Sequence, residues 1–126
     1  MTHPWHPIEG GVTAPQGFLA AGITAGLKAS GNPDLSLLVA PPGAVCAGTF
    51  TTSVVRAACV DLCAERLVST GGRARAVLTN SGQANACTGE LGLIDSLGAT
   101  GAVAERLGLA AEEVLICSTG VIGVPI

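Results

Sequence analysis

The sequence predicts a mixed α/β fold of the α+β kind, and three observations lead there. Short apolar runs of strand length recur, each bounded by Gly, Pro, Asn or Ser. One long segment, Glu90 to Leu107, carries apolar residues at helical spacing and stops at Gly108. A shorter segment, Asp61 to Val68, has similar spacing and is followed by Gly71 and Gly72. At 126 residues the chain reads as a single domain.

Residues 1–11 are expected to be an extended arm, because Pro4 and Pro7 block a helix. His3, Trp5 and His6 then belong to a frayed end, not to a metal site. Gly17 to Lys28 alternates small and apolar residues and holds Gly22 and Gly26, so a closely packed strand is favoured over a helix. Ala29 to Pro33 is a turn by composition. Asp34 to Ala40 is an unbroken apolar run, hence a buried strand, ended by Pro41-Pro42-Gly43. Val45 to Thr51 and Val54 to Val60 read as two further strands, and short links make an antiparallel meander the simplest topology.

Asp61 is the expected cap of the short helix. Arg75 to Thr79 is a fourth strand. Asn80 to Gly89 follows as a loop of small and amide-bearing residues. Amides donate and accept, so this loop either braces itself through its own Asn side chains or contacts a substrate. In the long helix, Leu93, Leu97, Ala104 and Leu107, with Ile94 and Val103 alongside, form one apolar stripe expected to face the core. Gly98 and Gly101 are expected to let that helix approach a sheet. Glu90 and Asp95 sit early and Arg106 late, as the helix dipole favours. Glu112 and Glu113 begin the turn before a last strand at Val114-Leu115-Ile116.

Composition narrows the function classes. The chain is 48% hydrophobic but only 12% charged, so it has little polar surface for a free-standing domain of this size. Two Phe, one Trp, no Tyr and 18 Gly imply a core that packs backbones closely but buries little area per residue. Another polypeptide covering part of the surface is therefore expected. A net charge of −3 and scattered Arg argue against a nucleic-acid partner. No apolar run is long enough for a membrane span and no signal pattern opens the chain, so a cytoplasmic location is expected. The five cysteines, Cys46, Cys59, Cys63, Cys87 and Cys117, read as reduced, buried, structural thiols, and no metal site is expected.

The stretch that carries chemistry is Cys117-Ser118-Thr119-Gly120-Val121-Ile122-Gly123. A strand stopping at Ser-Thr-Gly would expose backbone N–H groups that need partners. A turn, water or the negative oxygen of a reacting substrate would each supply one. Gly120 permits a positive φ and close approach of a ligand. Thr119 adds a hydroxyl donor. The rest of a catalytic set is missing: no His lies beyond His6, Lys28 is the one lysine, and no phosphate-binding or dinucleotide glycine pattern occurs. Donors without a nucleophile or base make a complete enzyme within this chain unexpected. The stop at Val124-Pro125-Ile126, directly after the turn, suggests completion by another chain, or a piece of a longer protein.

Four segments resemble one family in its own order. They are Gly10 to Phe18 with Ala20-Ala21-Gly22, Phe50-Thr51-Thr52, Asn80-Ser-Gly-Gln-Ala-Asn-Ala-Cys-Thr-Gly89, and Cys117 to Pro125. The chain, over about residues 8–126, resembles the N-terminal part of the ornithine acetyltransferases, the bifunctional glutamate N-acetyltransferases of arginine biosynthesis. The resemblance implies a fold of two β-sheets between helix layers, as in self-cleaving relatives. It implies a precursor that cuts itself between Ala and Thr, freeing an N-terminal Thr as nucleophile with its own amine as base. It implies acetyl transfer from N-acetylornithine to glutamate, with acetyl-CoA a co-substrate in some members and no bound cofactor. An α₂β₂ assembly of the two precursor chains follows, as does an oxyanion hole at Thr119 and Gly120. The nucleophile lies beyond residue 126, so the chain alone is expected to be inactive. The competing readings are a non-catalytic remnant of the same fold and a self-cleaving amidohydrolase or aminopeptidase.

Overall fold

The computed structural model describes residues 4–125. His3 therefore lies outside the described residues. Four strands and two helices follow in the order β1 (Leu19–Ile23), β2 (Leu35–Val39), α1 (Ala58–Ser69), β3 (Ala76–Gln83), α2 (Gly89–Leu107) and β4 (Val114–Val121). One sheet carries the strands in that sequence, β1-β2-β3-β4. The first two pairings are antiparallel, and β3 and β4 are parallel. A parallel pair needs a crossover, and α2 supplies it. The mixed α/β class read from the sequence stands. Residues 4–18 form neither helix nor strand, and Trp5 is exposed.

Two expected strands are absent. Val45 to Thr51 contributes a single bridge, Val45 to Arg73, and Val54 to Val60 gives way to α1 at Ala58. The meander therefore does not form; β2 pairs instead with β3, across the segment that holds α1. The helix starts early because its buried face is Cys59, Leu62, Cys63 and Arg66, spaced one turn apart and beginning before Asp61. Asp61 does not cap it. Its carboxylate pairs with Arg56 at 2.6 Å.

α2 has the expected ends, with Gly108 in the left-handed conformation (φ 64°), but it is rotated. Its buried residues are Gly92, Ser96, Thr100 and Ala104, one per turn. Leu93, Ile94, Leu97 and Leu107 are exposed. Small residues let the helix axis close on the sheet, where Ala104 meets Ala76 and Val114. The buried hydroxyls are satisfied within the helix: Ser96 Oγ donates to Gly92 O at 2.8 Å and Thr100 Oγ1 to Ser96 O at 2.8 Å. Gly98 and Gly101 have open space where a Cβ would stand, so they do not set the approach to the sheet; the tight glycine is Gly92, which packs against Thr88 and Asn85.

The core lies between this helix layer and one sheet face. Cys59, Leu62 and Cys63 of α1 pack with Leu78, Leu115 and Ile116, and Leu35 and Leu37 border them. Of the five cysteines, all unpaired, Cys59 and Cys63 are buried as expected, whereas Cys87 and Cys117 are exposed. Ser36, Leu38 and Thr79 alternate with the core-facing residues and so point to the other face of the sheet.

Candidate functional site

β4 is the edge strand, and its outer edge is covered by α1. Arg66 Nη1 donates to Val114 O at 2.5 Å. The Ile116 N–H donates to Cys63 Sγ at 3.3 Å, and that thiol donates to Ile116 O at 3.2 Å. The Cys59 thiol is next along the helix, where burial disfavours its ionised form and the nearby Ser118 backbone favours it. Alternate residues of a strand aim their polar backbone groups the same way, so 114, 116 and 118 face outward. Residues 66, 63 and 59 meet them in reverse order. Seven helical residues rise about 10 Å and four strand residues about 13 Å, close enough for one helix face to serve the whole edge. Burial pushes the Cys59 and Cys63 thiols up from their ordinary range, so both stay protonated, and the Cys63 thiol can donate to Ile116 O.

The helix begins at Ala58, one residue before Cys59. The next outward position on β4 is Gly120. On its far side the alternation is fixed again, because Val121 O accepts from Ala84 N at 2.9 Å on the β3 side. The Gly120 N–H thus falls beyond the reach of the α1 ladder, and Thr119 and Gly120 are both exposed.

This corrects the expectation that the strand ends before Ser118. Ser118, Thr119 and Gly120 lie within β4, opposite Asn80, Ser81 and Gly82 of β3. The first residues of the presumed amide loop are likewise strand. Both strands are irregular where they are expected to stop. Gly82 (φ 128°) and Gly120 (φ 135°) face each other, and the register shifts at Gln83. A Cβ on Gly120 would lie 2.3 Å from Gly82 C and 2.5 Å from Gly82 O, so any side chain there displaces β3. The pair is a matched kink that only two glycines allow.

Amide side chains hold the kink. Ser118 Oγ sits 2.5 Å from Asn80 Oδ1 and 3.0 Å from Gln83 O, sharing its proton between them. Asn80 Nδ2 donates to Gln83 O at 3.0 Å. Gln83 Nε2 donates to Pro125 O at 2.6 Å, while its Oε1 is buried with no partner among the described residues. Asn85, 2% exposed and at φ 49°, joins the two helices. Its Oδ1 accepts from Cys59 N (3.2 Å) and Ser96 Oγ (3.3 Å), and its Nδ2 donates to Gly92 O (2.9 Å). Of the two alternatives for Asn80 to Gly89, self-bracing is what Asn80 and Asn85 do. Cys87, Thr88 and Gly89 line a cavity of about 380 Å³ with Arg56 and Asp61.

Asp34 was read only as the start of a strand. It is buried, and its carboxylate accepts from Ala25 N (2.6 Å) and Lys28 N (2.8 Å). These two N–H groups, with smaller help from Leu27 and the Lys28 charge, hold its carboxyl below the ordinary 3.8. No short-range pattern announces these bonds, since the donors lie nine and six residues earlier in the chain.

Fold and site together define a class: mixed α/β proteins in which a helix face covers the edge of a kinked parallel strand pair. The chain superposes on ornithine acetyltransferase from Mycobacterium tuberculosis, solved with ornithine, with a TM-score of 0.86 and 47% identity over 92% of this chain and 62% of that one. The arginine biosynthesis bifunctional protein argJ of Bacillus halodurans superposes with a TM-score of 0.87 and 37% identity, over 93% of this chain and 60% of that one. Residues 19–126 match the ArgJ family model, and the chain belongs to that family. The arginine biosynthesis bifunctional protein ArgJ of Parasynechococcus marenigrum is 72% identical over the whole chain, and that of Prochlorococcus marinus MIT 9313 is 74% identical over 97% of it. The chain spans 31% and 29% of the length of these two relatives.

Proposed function

We propose that this chain is the N-terminal part of a glutamate N-acetyltransferase, moving acetyl from N-acetylornithine to glutamate in arginine biosynthesis. In this reading Thr119 and Gly120 form the oxyanion hole. The Gly120 N–H and the Thr119 hydroxyl stabilise the negative oxygen of the tetrahedral intermediate. The nucleophilic Thr comes from a second chain of the same precursor, paired with this one in an α₂β₂ assembly in the cytoplasm. No bound cofactor is required in this reading. Alone, this segment transfers no acetyl group, for want of nucleophile and base.

The observation that carries the reading is the uncovered step on the β4 edge. Outward groups at 114 and 116 are bonded by α1, Cys59 near 118 is the last helical residue of the series, and the helix starts one residue before it. Membership of the family, and the ornithine complex of the mycobacterial relative, support the substrate class.

The test uses the full-length precursor that carries this segment. Thr119→Ala is expected to lower kcat by about 10²-fold or more, with KM little changed. Thr119→Ser retains more activity, since it keeps the hydroxyl. Normal kcat with a lowered melting temperature in the Thr119→Ala protein removes Thr119 from the mechanism and leaves it a purely structural residue.

A further inference from the structure

We propose that Asp34 is a positioning residue for the Gly120 donor, acting through the loop of residues 24–28 and through Gly82. The inference rests on the donor reading above.

Gly120 cannot hold its own orientation. Its φ of 135° is one that an unconstrained chain leaves readily, and it has no side chain to pack. What limits it is the backbone opposite: a Cβ on Gly120 would be 2.5 Å from Gly82 O. Gly82 is itself kinked, and is limited from its other side by Leu27. A Cβ on Gly82 would stand 2.9 Å from Leu27 O and 3.1 Å from Leu27 C. Three backbone segments, at 27, 82 and 120, therefore lie in contact with no side chain between them.

Leu27 belongs to the β1–β2 connection, which has few other anchors. Gly26 has φ 89°, and the turn is closed by Gly31 N donating to Lys28 O at 3.1 Å. Thr24 Oγ1 donates to Gly31 O at 3.3 Å and Lys28 Nζ to Pro33 O at 3.2 Å, both at the exposed surface, and the buried side chain that pins the loop is Asp34. Asp34 receives Ala25 N and Lys28 N on its two carboxylate oxygens, on either side of Leu27. Asp34 is fixed in turn to both neighbouring strands. Its N–H donates to Ile23 O at 3.1 Å, and its carbonyl accepts from Ser81 N at 2.8 Å, next to Gly82. One residue thus ties the loop, β1 and the start of the β3 kink together. Removing the carboxylate frees Leu27, lets Gly82 relax toward it, and turns the Gly120 N–H away from where the oxyanion forms. A displacement of about 1 Å at a catalytic group is enough to cost on the order of 10²-fold in rate.

The experiment compares Asp34→Ala, Asp34→Asn and Thr119→Ala in the full-length precursor. Hydrogen–deuterium exchange reads the backbone, and steady-state kinetics read the site. The expected result is faster exchange in both 24–28 and 118–121 for Asp34→Ala, with kcat lowered by about 10-fold or more and KM held. Asp34→Asn, which keeps one acceptor oxygen, falls between it and the native protein, and it carries the test if Asp34→Ala does not fold. Faster exchange confined to 24–33, with 118–121 unchanged, overturns the inference whatever the kinetics. So does faster exchange at 118–121 with an unaltered kcat while Thr119→Ala is impaired. Failure of the donor reading shows separately, as a normal kcat in Thr119→Ala.

Discussion

Replacing Asn85 by Ala tests whether one amide joins the two helices. Asn85 Oδ1 holds the Cys59 N–H in the first turn of α1, which has no side-chain cap at Ala57. Without it, a donor at a buried position loses its partner, costing about 1–3 kcal/mol. The Gly92 carbonyl loses Nδ2 but keeps Ser96 Oγ, so it adds little. The backbone adds a second cost. Asn85 sits at φ 49°, which Asn tolerates and Ala resists by about 1–2 kcal/mol. The Ala variant should lose about 2–5 kcal/mol in all, a large share of a typical 5–15 kcal/mol. Asn85→Gly loses the same hydrogen bonds but not the strain, so it should be the more stable of the two, reversing the usual order. Asn85→Asp keeps the acceptor and loses the donor, placing a carboxylate oxygen against Gly92 O. It should be less stable at pH 7 than at pH 5, where protonation restores a donor. Urea unfolding of the full-length protein at constant m reads all three. An Ala variant within about 0.5 kcal/mol of the native protein would refute the joining role, and a Gly variant below the Ala one would refute the strain argument.

Two other predictions concern charge. Asp34 titrates below its ordinary 3.8, so its contribution to stability is complete above that value and is lost as pH falls through the depressed folded value. Asp34→Asn should flatten the acid limb of the stability–pH curve, and an unchanged limb would show that other carboxylates set it. Arg66 is buried without a carboxylate within ion-pair distance among the described residues, and spends its charge on Val114 O. Arg66→Met keeps the stem packing and removes a costly buried charge, so it should change stability by about 1 kcal/mol or less, while Arg66→Ala should lose about 2–4 kcal/mol. Equal losses in a thermal melt would mean that the charge, not the packing, is what matters.

Local signals in the sequence were reliable where the chain decides its own conformation. Gly108 ends α2 because a left-handed C-cap needs little else. Asp34 to Ala40 and Arg75 to Thr79 are strands because their apolar runs are short and bounded. Val45 to Val60 failed because strand propensity needs a neighbour to pair with, and β2 takes β3 instead. The site failed in a related way. Ser118-Thr119-Gly120 reads as a turn residue by residue, and so does Ser81-Gly82-Gln83. Only their pairing turns two apparent stops into one continuous kinked ladder. Each glycine makes the other's conformation possible, and no single-segment reading contains that. Cys59, Cys63 and Arg66 were legible as a helix face but not as partners of a strand edge, because nothing local links 59 to 118.

The rotation of α2 is the misreading that says most about the complete protein. The apolar stripe of Leu93, Ile94 and Leu97 would be the buried face of a helix in a self-contained domain. Here the face with Ser96 and Thr100, both fully buried, takes that place. It can do so because both hydroxyls are bonded within the helix and add no unpaired group to the core. Turning the helix to bury the leucines would push it off Ala76 and Val114 by the depth of a side chain and break the Asn85 link to Gly92. The leucines therefore have a different destination. Beside them, a groove of about 400 Å³ lined by Ile23, Leu35, Leu37, Val103 and Leu107 lies open between α2 and the first two strands. Its apolar lining continues the exposed stripe through Leu107. An apolar surface of this kind is expected on one part of a larger assembly, not on a free domain. It fits the low charge of the chain and its span of about a third of its relatives' length. The polypeptide that completes the proposed enzyme would cover this side while its nucleophile approaches Gly120 at the far end of β4. Hydrophobic periodicity marked the apolar residues of α2, but the face they form is turned away from the sheet and stands exposed.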